Sequence, residues 1–148
     1  MKANRYDELM AKQMQEYNAF PIGAAYNEKQ FAEMMNKWGL QTNDTDKIYH
    51  IFSGVFIRKA DHKAYHDMID RFEKELEEAI EADLDGTGFI YDMFYSELTN
   101  HEYVYTRDLT NTLDALGYTI DDINADKRLT KGLYNATRQV EKEYEGFV

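Results

Sequence analysis

Between Tyr65 and Ile80 the apolar residues Tyr65, Met68, Ile69, Phe72, Leu76, Ala79 and Ile80 fall at steps of three and four, the period of a helix with one buried face. A stripe of that length needs other surfaces to bury it, and much of the remaining chain has the same period. Tyr6, Leu9, Met10, Gln13, Met14 and Tyr17 mark a first helix, broken by Pro21 and Gly23. "NEKQFAEMMNKWGL" opens on Asn27 with Gln30 three residues later, a capping-box arrangement, sets Phe31, Met34, Met35 and Trp38 on one side, and stops at Gly39. After Gly86 and Gly88, Ile90, Met93, Phe94 and Leu98 predict a shorter helix. Leu109, Leu113 and Leu116 predict another, closed by Gly117, and Leu129, Leu133, Ala136, Val140 and Tyr144 a last one. Only "KIYHIFSGVFIRK" differs, with β-branched and aromatic runs flanking Ser53-Gly54 in the manner of a hairpin. The expected fold is mainly α: a single compact helical domain over residues 1–148 with one short β-hairpin, formally α+β.

Composition narrows what such a domain can do. Apolar residues make up 43% and aromatics 14% of 148 residues, enough to build a core. Acids outnumber bases 28 to 17, for a formal charge of -11, which argues against direct binding of nucleic acid. With no cysteine there is neither a disulfide framework nor a thiolate zinc site. The N-terminal stretch lacks the apolar segment of a signal peptide, and no run approaches a membrane span, so a soluble cytoplasmic protein is expected.

"DLDGTGFIYDMF", Asp83 to Phe94, resembles a calcium loop at first sight. Counting Asp83 as position one puts Asp85 at three, Thr87 at five, Gly88 at six and Phe94 at twelve, where a bidentate glutamate is required. Phe94 cannot ligate, and Glu97 falls three positions late. Asp85-Gly86 and Thr87-Gly88 are turn chemistry, so this stretch is expected to connect two helices.

One pair of histidines and one glutamate–histidine pair are the remaining metal candidates. His62 and His66 stand four apart with Asp70 continuing the line, and Glu97 and His101 repeat the spacing. Two helices facing inward could join them, but the rhythm matches neither the Glu-x-x-His of di-iron bundles nor the zincin motif. The favoured expectation is therefore no cofactor, with His62 and His66 bonding to Asp70 and Glu73, and Glu97 pairing with His101. Ser53 and Ser96 lie in no nucleophile elbow, and no phosphate-binding loop is present, so nothing points to an enzyme.

The charge pattern is more distinctive. Glu73, Glu75, Glu77, Glu78, Glu81, Asp83 and Asp85 face a single base, Lys74, over thirteen positions. Glu73, Glu77 and Glu81 climb one helix edge in steps of about 6 Å, a spacing at which like charges repel by a few tenths of a kcal/mol per pair. One DNA strand advances about 3.4 Å per phosphate, so this ladder roughly follows alternate phosphates. Glu73, Glu77, Glu78, Glu81, Asp83 and Asp85 are therefore the candidate contacts for a partner protein with a basic surface. A solvated face that only keeps the chain in solution has the same composition. Tyr91, Tyr95, Tyr103 and Tyr105 cluster near "NHEY" and suit either a core or a wet protein interface, including one between copies of this chain.

The segments "FAEMMNKWGL", "GVFIRKADHKAYHDMI", "GFIYDMF" and "ELTNHEY" resemble a family of short, acidic, uncharacterised proteins from Firmicutes and their phages and mobile elements, from about Phe31 to Ala136. The resemblance implies a setting and no activity. In that setting the expected function is a non-enzymatic acidic accessory protein, imitating DNA toward a nucleic-acid-binding or defence enzyme. The alternatives are a metal-binding helical domain using His62, His66, Glu97 and His101, or a self-assembling structural protein.

Overall fold

Each helical stripe becomes a helix. The computed structural model describes residues 3–146, over which the chain runs α1 (Arg5–Ala19), β1 (Gly23–Ala24), α2 (Glu28–Lys37), β2 (Ile48–Phe52), β3 (Val55–Arg58), α3 (His62–Ala82), α4 (Phe89–Asn100), α5 (Tyr103–Thr106), α6 (Thr110–Leu116), α7 (Ile120–Ala125) and α8 (Lys127–Glu145). The fold is mainly α with a small antiparallel sheet. Among the described residues no helix is long and apolar enough to cross a membrane. The residues group into two compact units, Gln13–Lys74 and the segments up to Lys12 and from Glu75 on, each taken by itself below.

In Gln13–Lys74 the hairpin forms around Ser53-Gly54, with Gly54 at φ +73, a left-handed value that costs glycine little. Tyr49 pairs with Ile57 and His50 with Phe56, and the register shifts before Phe52 pairs with Val55. The sheet has one strand more than the hairpin: β1 adds to β3, Gly23 opposite Phe56, giving the order β1-β3-β2. The sequence marked Pro21 and Gly23 only as a break. Gly23 is a strand residue because a Cβ there would sit 2.4 Å from Met34 Sδ, so the strand reaches α2 only without a side chain. Asn27 caps α2 by accepting from the Gln30 N–H at 2.8 Å. The reciprocal bond is displaced by one residue, because the Gln30 side-chain Oε1 accepts from Tyr26 N–H rather than from Asn27. Met34 and Met35 bury against Phe31, Trp38 and Phe56, and Ile57, Tyr65 and Met68 form a second cluster with Tyr17, Phe20 and Phe72.

In the other unit α4 is the central helix. Its Ile90, Met93, Phe94 and Leu98 are almost wholly buried and meet Leu129, Leu133, Ala136 and Val140 of α8, with Leu113 and Ile123 closing the core. Each of these side chains other than that of Ala136 contributes about 1.5–3 kcal/mol by leaving water. α8 approaches closely because Gly132 faces Ile90, whose Cγ2 would lie 2.6 Å from an added Cβ. α7 is held by a reciprocal box of Thr119 and Asp122. The one-turn helix α5 lies between two non-glycine residues in the left-handed region, Glu102 at φ 56 and Arg107 at φ 57.

Candidate functional site

The two faces of α3 differ sharply. Leu76, Ala79 and Ile80 turn inward against the α4–α8 core, which leaves Glu77 and Glu81 exposed one turn apart. Glu73, one turn earlier on the same helix, is exposed as well. Among the described residues none of these three carboxylates makes an ion pair or a hydrogen bond. Glu75 is different: it is half-buried and stands 3.9 Å from Lys12 Nζ. Glu78 is exposed but engaged. Asp70, three residues before Glu73 and also exposed, lengthens the ladder by one carboxylate. The sequence placed it with the histidines instead, because it sits on both lines.

These charges crowd the wrong end of a helix. The last turns of an α-helix carry the negative pole of its dipole, and α3 has no base in its last turn to offset Glu77, Glu78 and Glu81. The compensating cation comes from α8. The Arg128 guanidinium donates from Nη1 to the carbonyls of Ile80 and Asp83, both at 3.0 Å, satisfying helix-end oxygens, while Nη2 holds Asp126 at 3.0 Å. No local signal marks this role, since Arg128 lies 45 residues from Asp83 in sequence.

Asp83 and Asp85 do other work than the glutamates. Asp83 accepts from the backbone N–H groups of Gly86 (3.1 Å), Gly88 (3.0 Å) and Ile90 (2.9 Å), so one carboxylate both ties the turn and caps α4. Asp85 accepts from the Thr87 hydroxyl at 2.6 Å and the Thr87 N–H at 3.0 Å, and these bonds hold its carboxyl below the usual carboxylate range. The stretch that resembles a calcium loop therefore connects α3 to α4, with its acids spent on backbone donors. Gly86 takes φ +82 there, and its Cα passes so near α8 that a Cβ would lie 2.2 Å from the Arg128 carbonyl oxygen.

The histidine candidates remain pairs. His62 and His66 hold their Nε2 atoms 3.0 Å apart, which needs one ring protonated there and the other bare. They bond to each other and to neither Asp70 nor Glu73, because the first turn of α3 brings the rings together, while the Tyr49 ring lies tilted against His62 with centroids 4.3 Å apart. Glu97 lies 3.4 Å from His101, as the spacing suggested, and also accepts from Asn100 at 2.9 Å. Burial and this carboxylate push the Tyr6 phenol well above its ordinary value. Among the described residues no group of three or more His, Asp or Glu is placed to hold a metal ion. The buried polar face of α4 is a docking surface for α1: Asp92 accepts from Arg5 N–H at 3.0 Å, and Asn4 donates to the Asp92 carbonyl and to Ser96.

A small, mainly helical protein with an acidic helix edge is thus the class that fold and surface define. The model of a family of unknown function, DUF7659, matches residues 5–139, and the chain belongs to that family. No curated protein and no solved structure matches it.

Proposed function

We propose that this chain is a non-enzymatic acidic accessory protein that sets the outer edge of α3 against the basic surface of a partner protein, imitating the phosphates of DNA toward a nucleic-acid-binding or defence enzyme of Firmicutes or their phages. The observation that carries the reading is that Glu73, Glu77 and Glu81 stand exposed at successive turns with no ion pair among the described residues. Like charges so placed cost stability, and a cationic partner would turn that cost into binding energy. Glu78 flanks the ladder, while Asp83 and Asp85 hold the loop that ends it. The test is capture from a Gram-positive lysate at low and high salt, comparing the wild type with the E73Q/E77Q/E81Q variant. The expected result is a basic nucleic-acid-binding protein retained at low salt, displaced by duplex DNA and lost in the variant. Equal retention by the variant, or indifference to DNA and salt, refutes the reading.

One observation favours a second reading, self-association through the sheet. β2 lies at the sheet edge, with Tyr49 and Phe52 exposed along it, which is the form of a strand open to pairing with another copy. Sedimentation of the wild type and of I51P decides it: a monomer at every concentration excludes it.

A further inference from the structure

Where α4, α5 and α8 meet, a hollow of about 250 Å³ is walled by Tyr95, Tyr105 and Tyr144. Tyr105 and Tyr144 pack edge to face, with ring centroids 5.5 Å apart and planes at 84°. Tyr95 is fixed on one side by stacking with Tyr91 and at its tip by donating to Glu143 at 2.6 Å. Val104 and Val140 supply apolar surface, and the charged residues of the lining are two carboxylates, Glu102 and Glu143, with no lysine, arginine or histidine. The basic residues of this part of α8, Arg138 and Lys142, line a different hollow beside Tyr134. Tyr105 is 70% exposed, so its ring is open to a ligand. Its position is set by α5, which is flanked by the left-handed residues Glu102 and Arg107.

We propose that this hollow binds the side chain of a lysine from a partner protein. The face of an aromatic ring attracts an ammonium placed within about 6 Å of its centroid, and apolar walls suit the methylene stem behind it. The two carboxylates add charge of the right sign, and Glu143, already fixed by Tyr95 and by Gln139 at 2.9 Å, is oriented before the ligand arrives. The hollow is open and its most prominent wall is mostly in water, so it cannot enclose a free small amine as a ligand cavity does. A cation carried on a larger chain fits it. This site does not depend on the acidic edge of α3.

The experiment is a titration of the full chain, followed by backbone and tyrosine NMR shifts, with a capped Gly-Lys-Gly peptide, its norleucine counterpart and n-butylammonium. The expected result is saturable shifts at Tyr95, Val104, Tyr105, Val140 and Tyr144 with the lysine peptide, and at least tenfold weaker binding of the norleucine peptide. Y105A and E143Q, checked for an unchanged fold by circular dichroism, should each weaken the lysine peptide at least threefold. Equal response to lysine and norleucine, no shifts at these residues, or unaltered binding by both variants overturns the proposal. Binding of n-butylammonium as tight as that of the peptide assigns the hollow to free amines and overturns the lysine assignment.

Discussion

Replacing Asp83 with alanine separates the two kinds of acid at the end of α3. The carboxylate satisfies three backbone N–H groups, of which those of Gly86 and Ile90 belong to buried residues. Loss of an N-cap alone costs about 0.5–2 kcal/mol, and a buried donor left without a partner costs about 1–3 kcal/mol. Water reaches part of this turn, so the total for D83A should be about 2–4 kcal/mol. For a chain of this size that lowers Tm by about 6–12 °C. D83N keeps one acceptor oxygen and should fall between the wild type and D83A. E77Q and E81Q remove charges that make no hydrogen bond or ion pair among the described residues, and should change stability by less than about 0.5 kcal/mol, with any gain coming from relieved repulsion. Thermal unfolding followed by circular dichroism measures all four. If D83A melts within about a degree of the wild type, or E81Q is as damaging as D83A, the division between structural and surface acids is wrong.

Glycine substitutions test the close approach of the same loop to α8. G86A meets both a left-handed backbone and the Arg128 carbonyl oxygen, and should cost about 3–4 kcal/mol by urea unfolding, whereas G117A, also left-handed but with open space around it, should cost only about 1–2 kcal/mol. Stability should also fall in alkali: burial and hydrogen bonding push Tyr65 up to about 12, and the Glu143 bond with burial does the same for Tyr95. Groups whose folded value is raised stabilise fully below the unfolded value near 10.0, and lose that contribution as pH climbs toward 12. Denaturant titrations between pH 9 and about 12 should show the decline, with a smaller one in Y95F.

The sequence carried the helices well because their stripes are long and regular, as from Tyr65 to Ile80, and the hairpin because Ser53-Gly54 lies between two β-rich runs. It missed β1, which is two residues long and exists because Gly23 lets backbone approach Met34. It missed α5 and α7 for a related reason. Four and six residues are too few to display a period, and the box that starts α7 uses Asp122 where glutamate or glutamine is the usual signal. Within the acidic stretch the spacing of Glu73, Glu77 and Glu81 was readable, since one helix fixes it. The separate duty of Asp83 was not, because it depends on where the backbone of Gly88 and Ile90 turns after the helix ends. The hollow among Tyr95, Tyr105 and Tyr144 draws on three helices, so only its tyrosine content was visible beforehand.

The seating of α1 on α4 sets an order of events during synthesis. Asn4 and Arg5 bond to Asp92 and Ser96 across 87 to 92 positions of chain, so this turn, made before α4, must wait for α4 to emerge from the ribosome before it has a partner. Until then Tyr6 has no Phe89 to cover it, and the growing chain carries an aromatic ring that waits in water for its partner.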